Sequence, residues 1–323
     1  MKMLNKVIIL LLLNISLYAN SILTNYRLHG IQDVEKKMDL ELADTSYWYE
    51  YIKDIDTSFG YLESYQTILT CNKEKSTLSL FKNYGKNKFI PIEKYNAFTG
   101  KVKGDKVKEG DLKTPLGLYT IEKKISKLDS FYGPLAFVTN YPNIYDKYKG
   151  KNGSGIWIHG LPKEQKRDDY TKGCIAINND NIVRLDKEMH INSTLLIINP
   201  KTRSKEVSKK ILAKILANLF EWRYSWLYNE TEKYLSFYST DFVRDDGMKY
   251  SRFITYKTRI FNKKEKKKII FNNINIIPYP NVENIFKITF KEFYASSSFT
   301  FEGDKVLMVK VGKNSNFQIF TEK

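Results

Sequence analysis

Between Thr67 and Ile198, turn residues divide the chain into short runs rich in β-branched and aromatic side chains, and this texture constrains the fold more than any other feature. The runs are Thr67–Cys71, Thr77–Phe81, Lys88–Ile92, Leu118–Ile121, Ala136–Thr139, Gly155–His159 and Thr194–Ile198. Each is of strand length, so residues 67–200 are expected to form a mainly β, sandwich-like domain that ends at Asn199-Pro200.

What flanks this region has a different period. After the charged lead-in Lys201–Lys210, Ile211, Leu212, Ile215, Leu216, Leu219 and Phe220 recur at helical spacing, continuing through Trp222, Trp226 and Tyr234–Tyr238. Strand-like runs follow at Phe253–Phe261, Lys268–Ile277, Ile285–Tyr294 and Val306–Val311, which predicts a second, α+β domain over residues 201–323. Lys263–Lys268 reads as a solvated hairpin end. Residues 20–66 carry Val34, Met38, Leu40 and Leu42, then the aromatic cluster Tyr47, Trp48, Tyr49 and Tyr51. This reads as an N-terminal helical region and a candidate contact for a homodimer. The chain as a whole is thus α+β.

Residues 1–19 are set apart from all of this. Lys2 and Lys6 precede the apolar run Val7–Leu13, with Ile15 and Leu17 following, and Ala19 supplies a small residue before the chain turns polar at Asn20. The run is shorter than the roughly 20 residues of a membrane span, so a signal peptide cleaved after Ala19 is favoured over a retained anchor. Leu17 is larger than the residue usually found at its place before a cut. Export places the mature protein in a periplasm. The formal net charge of +17 then points to carboxylate-rich peptidoglycan or an anionic membrane surface, and away from nucleic acid. With 42% hydrophobic and 14% aromatic residues, the chain is too apolar for disorder.

Chemistry concentrates in two segments, Gly110–Ile121 and Ile158–Ile175. In the second, a thiol at Cys174 and an imidazole at His159 form a candidate nucleophile and base. Strand alternation puts Trp157 and His159 on one face and Ile156 and Ile158 on the other. Gly173 lets the backbone turn tightly before Cys174, where amides could hold an oxyanion. Two alternatives stay open on these residues alone: a disulfide between Cys71 and Cys174, or a buried structural cysteine beside a surface histidine. His29 and His190 read as structural or solvated, and no metal-ligand spacing and no cofactor are expected.

The two segments together resemble the YkuD, or L,D-transpeptidase, family, in which His-Gly lies upstream of Ser/Thr-x-Gly-Cys. They also match its Gly-Asp-x-x-Thr-Pro-x-Gly-x-Tyr segment at Gly110, Asp111, Thr114, Pro115, Gly117 and Tyr119. The resemblance implies that Cys174 attacks a carbonyl with His159 as base. It further implies that Gly160 orients the imidazole through its backbone and that amides around Gly173 and Cys174 form the oxyanion hole. Thr171, Lys172 and Trp157 are then expected near the substrate. Many members carry a second His where this chain has Lys172 and an Arg where it has Ala176. Lys172 keeps positive charge near the thiol, and the missing Arg changes the carboxylate contacts.

The architecture looks most like that of the L,D-carboxypeptidases of helical Gram-negative bacteria, which trim tetrapeptide stems to tripeptides and influence cell shape. The C-terminal half resembles an NTF2-like domain, whose aromatic helix is either core or the wall of a pocket for a glycan or protein ligand. Transpeptidation through the same acyl-enzyme is the alternative activity. A non-catalytic wall-binding protein is the alternative of another class.

Overall fold

The computed structural model of the chain describes residues 22–162, 168–201, 206–312 and 317–323, so the leader expected at 1–19 lies outside the described residues. Eight strands close into a barrel: β2 (Thr67–Asn72), β3 (Thr77–Asn83), β4 (Phe89–Phe98), β5 (Gly117–Ile125), β6 (Ala136–Thr139), β7 (Trp157–His159), β8 (Ile175–Ile177) and β9 (Thr194–Asn199), in the order β2-β3-β4-β8-β7-β6-β5-β9. The pairs β2–β9 and β7–β8 are parallel and the rest antiparallel. The strands expected in a sandwich-like arrangement therefore close on themselves, which removes free sheet edges.

Alternation explains why β9 is apolar from Leu195 to Ile198. Leu196 and Ile198 point into the barrel with Leu69, Tyr119 and Phe137. Leu195 and Ile197 point outward and pack with Tyr279, Ile285, Met308 and Phe320 of the C-terminal half. Both faces of β9 are buried, so the two halves share a core.

In that C-terminal half, the long helix α6 (Lys209–Leu227) lies on a five-stranded antiparallel sheet. Its strands are β1 (Tyr61–Leu62), β10 (Lys267–Pro278), β11 (Ile285–Ser296), β12 (Thr300–Val311) and β13 (Phe317–Glu322). Trp222 is fully buried and stacks between Tyr234, 5.6 Å away, and Phe271, 5.8 Å away. The aromatic stripe is thus core.

Of the N-terminal helices α1 (22–29), α2 (Ile31–Leu42) and α3 (Thr45–Tyr51), the last two belong to this same half. Trp48 of α3 stacks on Phe220 at 5.1 Å, Asp39 of α2 pairs with Arg223, and β1 pairs with β10. Their inward faces are thus packed into the core of the C-terminal half.

One segment expected as a strand is a helix: α8 spans Tyr250–Phe261. Its β-branched residues Ile254, Thr255, Thr258 and Ile260 mimic a strand. The buried pair Phe253 and Phe261, with Lys257 midway, follows the helical period instead. Lys263–Lys268 is accordingly not a hairpin end: 263–266 connect helix to strand, and Lys267 and Lys268 open β10.

Cys71 sits fully buried in the barrel core, and burial pushes its thiol up to about 12. It is not joined to Cys174 in a disulfide. Cys71→Ala is therefore expected to leave turnover intact and to lower stability by about 1 kcal/mol, the scale of losing one small buried group. Thermal unfolding and turnover of the variant check both halves of this expectation. A Cys71–Cys174 bridge in non-reducing peptide maps of active protein would contradict it.

Candidate active site

Parallel pairing of the short strands β7 and β8 brings the two sequence segments together. Ile158 lies opposite Ile175 and His159 opposite Ala176, so the turn that precedes β8 stands beside the start of β7. Cys174, half-buried at the end of this turn, directs its thiol to the Gly155 carbonyl at 3.4 Å and accepts the Trp157 N–H at 3.5 Å. Thr171 organises the turn: its hydroxyl donates to the Cys174 carbonyl at 2.7 Å and accepts the Gly173 N–H at 3.0 Å. Gly173 adopts φ 140°, a region that L side chains rarely enter. The Gly173 amide expected at an oxyanion hole is thus already committed to Thr171. Lys172 is exposed.

His159 is only 1% exposed, and its Nδ1 lies 2.7 Å from the Gly160 carbonyl. A carbonyl can only accept, so Nδ1 carries the proton and Nε2 is the basic nitrogen of the neutral ring. The ring of Tyr132, from the short turn Ser130–Tyr132, meets the imidazole edge-on at 5.1 Å and also covers Trp157 at 5.1 Å.

The peptide beyond Gly160 is held by Asn179, the first residue of α5 (Asn179–Glu188). Its amide accepts the Leu161 N–H at 2.8 Å and donates to the Leu161 carbonyl at 2.9 Å. A Cβ at position 160 would lie 2.3 Å from the Asn179 oxygen and 2.8 Å from Pro134, so only glycine fits under this clamp. Asn179→Ala frees the segment that orients the imidazole. Its kcat is expected to fall about tenfold, on the scale of lost positioning, with a smaller change in KM. Asn179→Asp, which keeps the acceptor to Leu161 N–H, is expected to lose less. Equal kcat in the wild type and Asn179→Ala would refute the clamp.

The upstream segment supplies the floor of the cysteine turn. Asp111 accepts hydrogen bonds from the Val107, Lys108 and Lys113 amides and pairs with Lys106 at 2.9 Å. Burial alone would raise its pKa, but these donors hold its carboxyl well below the usual range. Thr114 accepts the Gly100 N–H at 2.8 Å, and the Lys113 carbonyl would lie only 2.9 Å from a Cβ on Gly173. Tyr119 donates to the buried Asp146 at 3.0 Å, and its hydroxyl, with that of Tyr279, leaves no room for a side chain at Gly117.

Tyr132, Gly155 and Asn179 were not singled out from sequence. Gly133-Pro134 is a turn signal beside Tyr132, but nothing local marks Asn179, whose role exists only through β7–β8 pairing.

Comparison with known proteins now becomes informative. The YkuD L,D-transpeptidase catalytic domain matches residues 66–198, and the Cds6 C-terminal NTF2-like domain matches residues 214–323. The crystal structure of the helical cell shape determining protein Pgp2 from Campylobacter jejuni aligns with a TM-score of 0.80 and 38% identity, covering 87% of this chain and 100% of that one. This chain belongs to the L,D-transpeptidase family. Bd1075 of Bdellovibrio bacteriovorus shares the fold at a TM-score of 0.66 and 26% identity, over 83% of this chain and 97% of that one. The Escherichia coli protein YafK, classed with the L,D-transpeptidases, is 32% identical over 111 residues; the chain spans 42% of that relative's length and the match takes up 34% of this chain.

Ala176 stands where the resemblance led to an arginine being expected. Here Ala176 is fully buried between His159 of β7 and Phe98 of β4, so it offers the cleft no charge.

Proposed function

We propose that the protein is a peptidoglycan L,D-carboxypeptidase of the cell envelope. The carrying observation is a half-buried thiol in a rigid turn, next to a strand whose histidine presents Nε2 as its basic nitrogen. Cys174, deprotonated by His159, attacks the diaminopimelate carbonyl of a tetrapeptide stem to form an acyl-enzyme. The imidazolium returns its proton to the departing amine of D-alanine. Water, deprotonated by His159, then attacks the thioester, releasing a tripeptide stem and restoring the thiol.

The likeness to a cell shape determining protein over nearly the whole chain supports a role in shape through wall trimming. Such a substrate requires an extracytoplasmic site of action, which agrees with the leader expected at residues 1–19. No helix among the described residues is long and apolar enough to cross a membrane.

Isolated sacculi provide the test. Digestion after incubation with the protein is expected to show tetrapeptide muropeptides replaced by tripeptides, with free D-alanine in the supernatant. An unchanged muropeptide profile would overturn the assignment.

A further inference from the structure

Strand β4 ends at Phe98, opposite Ala176 of β8, so residues 99–104 leave the barrel at the end where Cys174 enters it. They are stitched to the cysteine turn: the Thr171 N–H donates to Thr99 O at 2.8 Å, and the Lys101 N–H donates to Thr171 O at 3.0 Å. From the opposite side come the turn after β2 and the Pro200–Lys201 segment after β9, themselves joined by hydrogen bonds of Lys73 and Glu74 amides to Asn199 and Pro200 carbonyls.

A cavity of about 450 Å³ lies between them. Neither Cys174 nor His159 lines it; it lies across the Gly100–Thr171 bridge from the cysteine turn. Among the described residues, Lys73, Lys101, Lys103 and Lys201 face it against two acids, Glu74 and Asp169. The volume suits a small ligand or a peptide end, and the surplus of ammonium donors selects for anions. Tyr170 forms an aromatic wall, with the Lys101 ammonium 4.7 Å above its ring. Lys73 is built in: its ammonium donates to the carbonyls of Gly104 and Thr114, so it ties the cavity floor to the segment beneath Gly173. Burial lowers its pKa to about 8.

We propose that this cavity is a subsite for a carboxylate-bearing part of the peptide substrate, held across the Gly100–Thr171 bridge from the cysteine turn. The proposal rests on the peptidoglycan reading above and adds a binding determinant to it. Peptidoglycan stems carry several carboxylates, and an ammonium-lined cleft joined to the cysteine turn orients such a peptide without touching the scissile carbonyl. It also places charge recognition where Ala176 supplies none.

The test measures binding separately from turnover. In the full-length Cys174→Ala protein, calorimetry gives the Kd of disaccharide tetrapeptide and of the same peptide with its side-chain carboxylates amidated. Adding Lys101→Gln and Lys103→Gln is expected to weaken the acidic peptide about fivefold, the scale of two partly exposed ion pairs, and to leave the amidated peptide unchanged. The pair Lys86→Gln and Lys88→Gln, elsewhere on the surface, removes the same charge and is expected to change neither. Equal Kd values with and without the Lys101 and Lys103 changes would overturn the subsite. So would equal weakening of the amidated peptide, the same loss in the Lys86 and Lys88 control, or competition by inorganic phosphate as strong as by the peptide. If the wild type releases no D-alanine while the binding difference persists, the subsite stands and the carboxypeptidase reading fails.

Discussion

Cys174→Ala is expected to abolish D-alanine release, by about 10⁴-fold or more, while the protein stays folded. The thiol is the atom that forms the covalent bond in the proposed reaction, and no other described group near His159 can replace it. Its structural role is small. The side chain is half-buried, and its hydrogen bonds include the long sulfur contacts to Gly155 O and Trp157 N–H. Removing them is expected to cost under about 1 kcal/mol. The organisation of the turn rests on the Thr171 hydroxyl and the Gly173 backbone, which the substitution leaves in place. Thermal unfolding alongside turnover separates the two effects. Residual activity well above background in a folded Cys174→Ala protein would remove Cys174 from the mechanism.

Gly173→Ala is expected to be damaging too, less severely and by a different route. The backbone at 173 sits at φ 140°, and an added Cβ would meet the Lys113 carbonyl at 2.9 Å and Ile156 Cδ1 at 3.2 Å. The isoleucine end can give way, but the carbonyl cannot, because Asp111 holds the Lys113 amide at 3.1 Å and binds two further amides of the same loop. The turn must therefore shift, and Cys174 moves with it. A displacement near 1 Å at a reacting atom costs about 100-fold in kcat. The strained φ adds a stability loss of about 1–3 kcal/mol. Single-turnover kinetics with a melting curve reads both, and wild-type kcat in Gly173→Ala would contradict this account of the turn.

Much of this was legible in the amino-acid order, and the parts that were not share a cause. The barrel strands that alternate or carry β-branched residues could be read locally, as Thr67–Cys71 and Thr194–Ile198 show. The three-residue β8 could not, because it is a strand only by virtue of lying between β4 and β7. Helix α8 was misread because its β-branched residues outweighed the wider spacing of Phe253 and Phe261, a case of tertiary packing overriding propensity. The helices of residues 22–51 are readable from their spacing, but the partner of Trp48, Phe220, lies far along the chain.

At the site, the Cys174 and His159 segments were visible as motifs. The placement of Asp111 and Thr114 beneath the cysteine turn, the Asn179 clamp on Leu161 and the edge of Tyr132 on His159 depend on contacts between distant segments. Spacing along one chain does not encode those contacts.

The fate of the acyl-enzyme tests the central claim most directly. Purified disaccharide tetrapeptide is incubated with the protein in the presence of excess stem peptide as amine acceptor, and the products are weighed by mass spectrometry. Hydrolysis requires water to reach the thioester before a second stem docks. The account predicts disaccharide tripeptide and free D-alanine, with little crosslinked product at any acceptor concentration. A predominance of 3-3 crosslinked dimer would contradict it, making the protein a transpeptidase that uses Cys174 and His159 in the same roles.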